Sequence, residues 1–198
     1  MTVLVGYASV RSSTRGIAEE IGSQLMKAGV QAAVRPIAEV EQLTFYDSVV
    51  LGSAIHNGAW LREASAFLLR HEAQLTALPL WLFSVSSVGD TSSFFGPRVT
   101  RLIRRTRKDD RAVAEARQWP GFRGHRDFAG RIERGQWSRV GDLFLKVCGG
   151  LPGDYRDWHA VDEWARGIAG QVLAVEWAKE RRRLRLVPPP FSTAGRAG

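Results

Sequence analysis

Four hydroxyl-bearing residues, Ser9, Ser12, Ser13 and Thr14, crowd a six-residue stretch, SVRSST, between an apolar run and a helical pattern. A short glycine turn would be enough to connect a strand to a helix. Hydroxyls at a helix N-terminus, where backbone N–H groups and the positive end of the helix dipole are exposed, form a seat for a phosphate monoester. One hydroxyl, from Ser13 or Thr14, would suffice as a simple cap, so their number favours a ligand. Arg11, in the same stretch, can pair directly with an anion.

Two more loops are candidates. GSAIHNGAW (52–60) carries Gly52 and Gly58, which allow a backbone to approach a planar ring closely, with His56 and Asn57 available at the ring edge. A tight turn into the next helix is the alternative reading of that stretch. In SVSSVGD (84–90), Ser86 and Ser87 either cap a helix or hydrogen-bond a heterocycle. A serine hydrolase using Ser86 or Ser87 with His56 and Asp90 finds no G-x-S-x-G elbow to support it.

The elements that must position these loops are legible as patterns. TVLVGYA, VQAAVRPI, SVVLGSAI and LPLWLFSVSS are short, apolar, Val/Leu-rich runs of the kind buried in parallel sheets, and HRDFAGRI is a weaker fifth candidate. Between them lie helical periodicities: Ile17, Ile21 and Leu25, closed by Gly29; Leu61, Ala64, Phe67 and Leu68; and PRVTRLIRRTRK, with proline at a tolerated first-turn position. SRVGDLFLKVCGG is also expected to be helical. A last helix from about Asp157 places Val161, Trp164, Ala165, Ile168, Val172 and Leu173 on one face. The alternation predicts an α/β, doubly wound five-stranded parallel sheet, order 2-1-3-4-5, with helices on both faces. In such sheets ligands sit beyond the carboxyl ends of the strands, where strand order reverses. The domain is expected to span 1–178, with a basic, Pro-rich tail over 179–198 that is disordered.

The bulk properties narrow the chemistry. A net charge of +8, mostly from arginine, favours anionic partners. The runs RLIRRTRKDDR and KERRRLRL lack the aromatic interleaving of a nucleic-acid site and read as solvated faces, so no nucleic-acid partner is expected. One cysteine, Cys148, fits a reducing compartment, and four scattered histidines predict no metal site. Neither a signal peptide nor a membrane span is apparent, so the expected location is cytoplasmic.

The order of these elements resembles the flavodoxin-like superfamily, whose phosphate loop reads [ST]-x-T-G-x-T. Within it the likeness is greatest to the flavodoxin-domain protoporphyrinogen oxidases that use menaquinone. VVLGSAIHNGAWLREASAFLLRH is similar to that family's third strand and following helix, and LWLFSVSS to its FFSVN strand. DFAGRI, Trp137, KVCGG and DYRDWHAVDEWA resemble its closing segment. The resemblance covers residues 3 to about 175. It implies an FMN-dependent oxidoreductase passing electrons from a reduced substrate to a quinone-type acceptor, possible peripheral contact with the inner face of the membrane, and substrate propionates drawn to arginines of the 98–108 or 123–139 stretches. It implies further that Ser9, Ser12, Ser13 and Thr14 hold the phosphate, that Ser53, Ala54, Ile55, His56, Asn57 and Gly58 line one side of the isoalloxazine, and that Ser84, Val85, Ser86 and Ser87 line the other. An electron carrier binding flavin or the deazaflavin F420, without porphyrinogen chemistry, is the alternative. The chain departs from the pattern at Arg11, where flavodoxins have a hydroxyl, and at Ser12, where they have glycine and a positive φ would be strained. No Trp or Tyr lies between Ser53 and Ala59 to stack on the ring.

Overall fold

The computed structural model describes residues 1–132 and 150–185. Four apolar runs become the strands β1 (Thr2–Ala8), β2 (Gln31–Pro36), β3 (Ser48–His56) and β5 (Leu80–Ser86), and the weaker candidate over 125–132 gives β6 (Phe122–Ala129), which begins three residues earlier and ends at Ala129. They pair in parallel in the order β2-β1-β3-β5-β6, the doubly wound arrangement expected from the sequence. The short β4 (Ala59–Trp60) folds back antiparallel on the end of β3.

Among the described residues the helices are α1 (Ser13–Lys27), α2 (Arg62–Arg70), α3 (Glu72–Leu75), α4 (Pro97–Thr106), α5 (Arg111–Ala116) and α6 (Trp158–Arg185), with a small ribbon of β7 (Arg131–Ile132) and β8 (Gly153–Asp154). Because strand side chains alternate between faces, the sheet builds two cores. On one face Val3, Val5, Val50, Phe83, Val85 and Phe128 meet Ile17, Ile21 and Leu25 of α1 and Val161, Ala165, Ile168 and Val172 of α6. On the other Leu4, Val49, Leu51, Leu80 and Leu82 meet Ala64, Phe67 and Leu68 of α2, Leu75 of α3 and Ala112, Val113 and Ala116 of α5. The predicted apolar faces of α1, α2 and α6 are therefore the buried ones.

Helix α6 runs through Arg185, past the boundary at 178 drawn from composition; Arg181, Arg182 and Arg183 are exposed on it. Residues 186–198 of the expected tail, the expected helix over 138–150 except its last residue, Trp137 and Cys148 lie outside the described residues. Helix α5 has no counterpart in the sequence reading. Its six residues sit inside a charge-rich stretch, and Asp110 caps it by accepting from Ala112 N at 2.9 Å.

Candidate functional site

Strand order reverses between β1 and β3, and a cleft of about 570 Å3 opens there, at the carboxyl ends of the strands. This is within the roughly 300–1,000 Å3 usual for small-molecule sites. The loop after β1 contributes Ser9, Val10, Arg11, Ser13 and Thr14; the end of β3 and its turn contribute Ala54, Ile55, His56, Asn57 and Gly58. From the end of β5 and its loop come Val85, Ser86, Ser87 and Phe94, and from the end of β6 and the start of β7 come Gly130, Arg131 and Ile132. The three loops singled out in the sequence thus share one cleft.

The first loop has unspent hydrogen-bonding capacity. Helix α1 begins with no side-chain cap, so neither Ser13 nor Thr14 plays the structural role that would explain it away. The hydroxyls of Ser9 and Thr14 are buried and have no partner among the described residues. Buried polar groups are seldom left so. Arg11 and Arg131 bring two positive charges to the same cleft. Ser13 instead ties the loop to the far side of the cleft, its Oγ accepting from Arg131 N at 3.1 Å. Ser12 has φ 55 and ψ −12, the left-handed conformation that burdens a residue with a Cβ.

Three expected positions do not line the cleft. Ser12 sits at the N-cap facing elsewhere, and Ser53 and Ser84 turn away because their strands continue beyond them, to His56 and Ser86. Strand alternation sends both hydroxyls to the α2/α5 face. There the Ser53 Oγ accepts from Leu61 N at 3.0 Å, and the Ser84 Oγ accepts from Trp60 Nε1 at 2.8 Å. Both hydroxyls anchor the return arm of the β3–β4 hairpin. Its two-residue loop, Asn57 (φ 52) and Gly58 (φ 80), is a type I′ arrangement with the Asn-Gly pair such turns favour. The hairpin, and not a direct turn into α2, carries His56, Asn57 and Gly58 to the cleft. Gly52 admits a ring, but that ring is Phe83: a Cβ at Gly52 would lie 2.0 Å from its Cζ.

Beneath Ser84 lies a charged cluster. Arg117 donates to His125 Nδ1 at 3.0 Å, which leaves the imidazole proton on Nε2, 2.9 Å from Ser84 Oγ. Ser84 therefore accepts from two donors, an arrangement opposed to a hydrolase nucleophile. Burial, aided by Arg117, pushes the His125 pKa down to about 4. Burial pushes the Asp127 carboxyl up to about 6, against the pull of Arg107 at 2.6 Å.

Val10, Phe94, Gly130 and Ile132 were missed, and Arg131 was anticipated only as one of the arginines of the 123–139 stretch. Phe94 packs on Tyr155, ring centroids 5.1 Å apart, and is nearly buried; Arg131 meets Ser13 across 118 residues of sequence. No local pattern announces such encounters.

The flavodoxin-domain family matches residues 4–120, more than half of the chain. The chain belongs to that family. This flavodoxin-domain protein is 27% identical over 183 residues to protoporphyrinogen IX dehydrogenase (quinone) of Escherichia coli strain K12, covering 85% of this chain and 95% of the relative. Its fold is shared with a flavodoxin from the domain Archaea, at TM-score 0.53 and 16% identity over 87% of this chain and 99% of that one. It is likewise shared with oxidised flavodoxin 2 from Bacillus cereus, at TM-score 0.55 and 18% identity over 86% and 99%. Family and fold together support a flavin-dependent redox function.

Proposed function

We propose that this protein is an FMN-dependent oxidoreductase of the protoporphyrinogen-dehydrogenase type, carrying electrons from a reduced substrate to a quinone-type acceptor. The observation that carries the reading is the pair of buried hydroxyls, Ser9 and Thr14, without a partner among the described residues, beside an α1 N-terminus with no side-chain cap. Together they suit a phosphate monoester, with Arg11 and Arg131 supplying charge. When bound, the flavin supplies the hydride and electron chemistry.

The chain's own part is to hold and shield it. The hairpin residues His56–Gly58 and the loop residues Val85–Ser87 would flank the ring, while Phe94 gives the cleft an apolar wall against water. The likeness to the Escherichia coli dehydrogenase supports the substrate class and the quinone acceptor. No helix among the described residues is long and apolar enough to cross a membrane. An acceptor held in a bilayer would be met peripherally, at the carboxyl ends of the strands where the cleft opens.

The absorption spectrum of the purified protein, followed by titration with FMN and with F420, tests the cofactor. Ser9→Ala with Thr14→Ala should weaken FMN binding at least tenfold, about 1.4 kcal/mol, leaving the fold intact. Unchanged affinity removes the phosphate from this loop. Quinone-dependent oxidation of protoporphyrinogen then separates an enzyme from an electron carrier.

A further inference from the structure

The loop that follows β5 is held from behind by α4 and the residue after it. Arg104 donates to Gly89 O through Nε at 3.0 Å and through Nη2 at 2.7 Å. Arg107 donates to Val88 O through Nη1 at 2.9 Å and reaches Asp127 Oδ2 at 2.6 Å and Asp90 Oδ1 at 3.4 Å through Nη2. Asp90 and Asp127 are themselves locked together, Asp90 N donating to Asp127 O at 2.8 Å and Asp127 N to Asp90 Oδ2 at 3.0 Å. The loop closes on itself as well: Gly89 N donates to Ser92 O, Phe94 N to Ser87 O, and Val88 N to Ser86 Oγ. Gly89 is pressed so closely on β6 that a Cβ there would lie 2.4 Å from Ala129 N.

Each guanidinium bond fixes the plane of a peptide immediately behind Ser86 and Ser87, and both serines line the cleft. Bonds from a charged donor are about twice as strong as neutral ones. A solvated helix face would not require two successive carbonyls to be captured in this way. Arg104 is exposed on this helix, as are Arg101, Leu102 and Arg105, but its guanidinium is turned onto the loop by the two bonds to Gly89 O.

We propose that Arg104 and Arg107 are positioning residues of the cleft, holding the 86–94 loop in the shape that receives the flavin ring. The assignment rests on the flavin reading given above. It divides the cleft into a phosphate end set by α1 and a ring end set from α4, so the two ends should respond separately to mutation.

Riboflavin, which lacks the phosphate, reports the ring end alone, and FMN reports both. Binding of each to the full chain would be followed by quenching of flavin fluorescence, with cooperative chemical unfolding as a check on the fold. Arg104→Ala with Arg107→Ala should weaken riboflavin and FMN by the same factor, fivefold or more, and alter the visible absorption of bound flavin. Ser9→Ala with Thr14→Ala should weaken FMN alone, and Arg111→Ala, at an exposed ion pair, should change neither. Arg107→Lys, which retains a cation but loses the fork, should recover part of the loss seen in Arg107→Ala. Wild-type riboflavin affinity in the folded double variant, or a loss confined to FMN, overturns the assignment. If the double variant does not fold, Arg104→Ala decides by the same two ligands. Should the wild-type protein bind neither flavin, the cofactor reading fails first and this one with it.

Discussion

Ser12 sits in the left-handed region at φ 55, where a side chain costs about 1–2 kcal/mol and glycine costs nothing sterically. Glycine's greater freedom in the unfolded chain takes back part of that gain. Ser12→Gly is therefore expected to stabilise the protein by about 0.5–1 kcal/mol, read from chemical denaturation. His125 and Asp127 give a second residue-scale test. His125, depressed to about 4, contributes stability that is complete above its ordinary 6.5 and is lost as pH falls through 4. Asp127, raised to about 6, contributes stability that is complete below its ordinary 3.8 and is lost as pH rises through 6. The two slopes oppose each other between about pH 4 and 6, so the wild-type curve should be shallow there as far as this pair is concerned. Asp127→Asn should expose a rise in stability with increasing pH across that window, and His125→Gln a fall, each on the order of 3 kcal/mol in the unfolding free energy from chemical denaturation. Matching curves for the two variants would mean the pair is not coupled to folding.

At the scale of elements, periodicity carried most of the information. The apolar rows Ile17–Ile21–Leu25 and Val161–Ala165–Ile168–Val172 point at the sheet as read, because burying an apolar stripe is what makes these segments helical. The β3–β4 hairpin was less legible although its Asn-Gly pair is a strong local signal, since only the two residues of β4 complete it. Ser53 and Ser84 were counted both in the strands and in the loops that follow; they lie within the strands, and the register decides which way they face. Gly52 is explained by the strand beside it, not by a ligand. Its missing Cβ makes room for Phe83, which packs edge-on to Trp164 of α6 at 6.1 Å. Gly52→Ala should thus destabilise the fold by about 1–3 kcal/mol through overpacking, seen as a lowered Tm whether or not flavin is present.

On the scale of the whole molecule, the long last helix separates two regions of positive charge. The N-terminal amine of Met1 pairs with Glu176 at 3.3 Å, so the distal part of α6 lies where β1 begins. The cleft lies where β1 ends, seven residues away, or about 20 Å along a strand. The exposed Trp177 and the arginines at 181–183 are consequently remote from Arg11 and Arg131. Composition alone could not make this distinction, because it counts charges without saying to which end of the sheet they belong. A chain ending at residue 178 is expected to bind FMN within about twofold of the full chain, a difference of no more than about 0.4 kcal/mol, by titration under identical salt. A larger loss would mean that the distal helix acts on the cleft.

The ion pair between Met1 and Glu176 also bears on how the molecule can be mounted. A cysteine introduced at Arg182 and coupled to a conducting support would hold the domain by the rim opposite its opening, leaving the opening turned toward solution and accessible to a diffusing reductant or to vesicles carrying the acceptor.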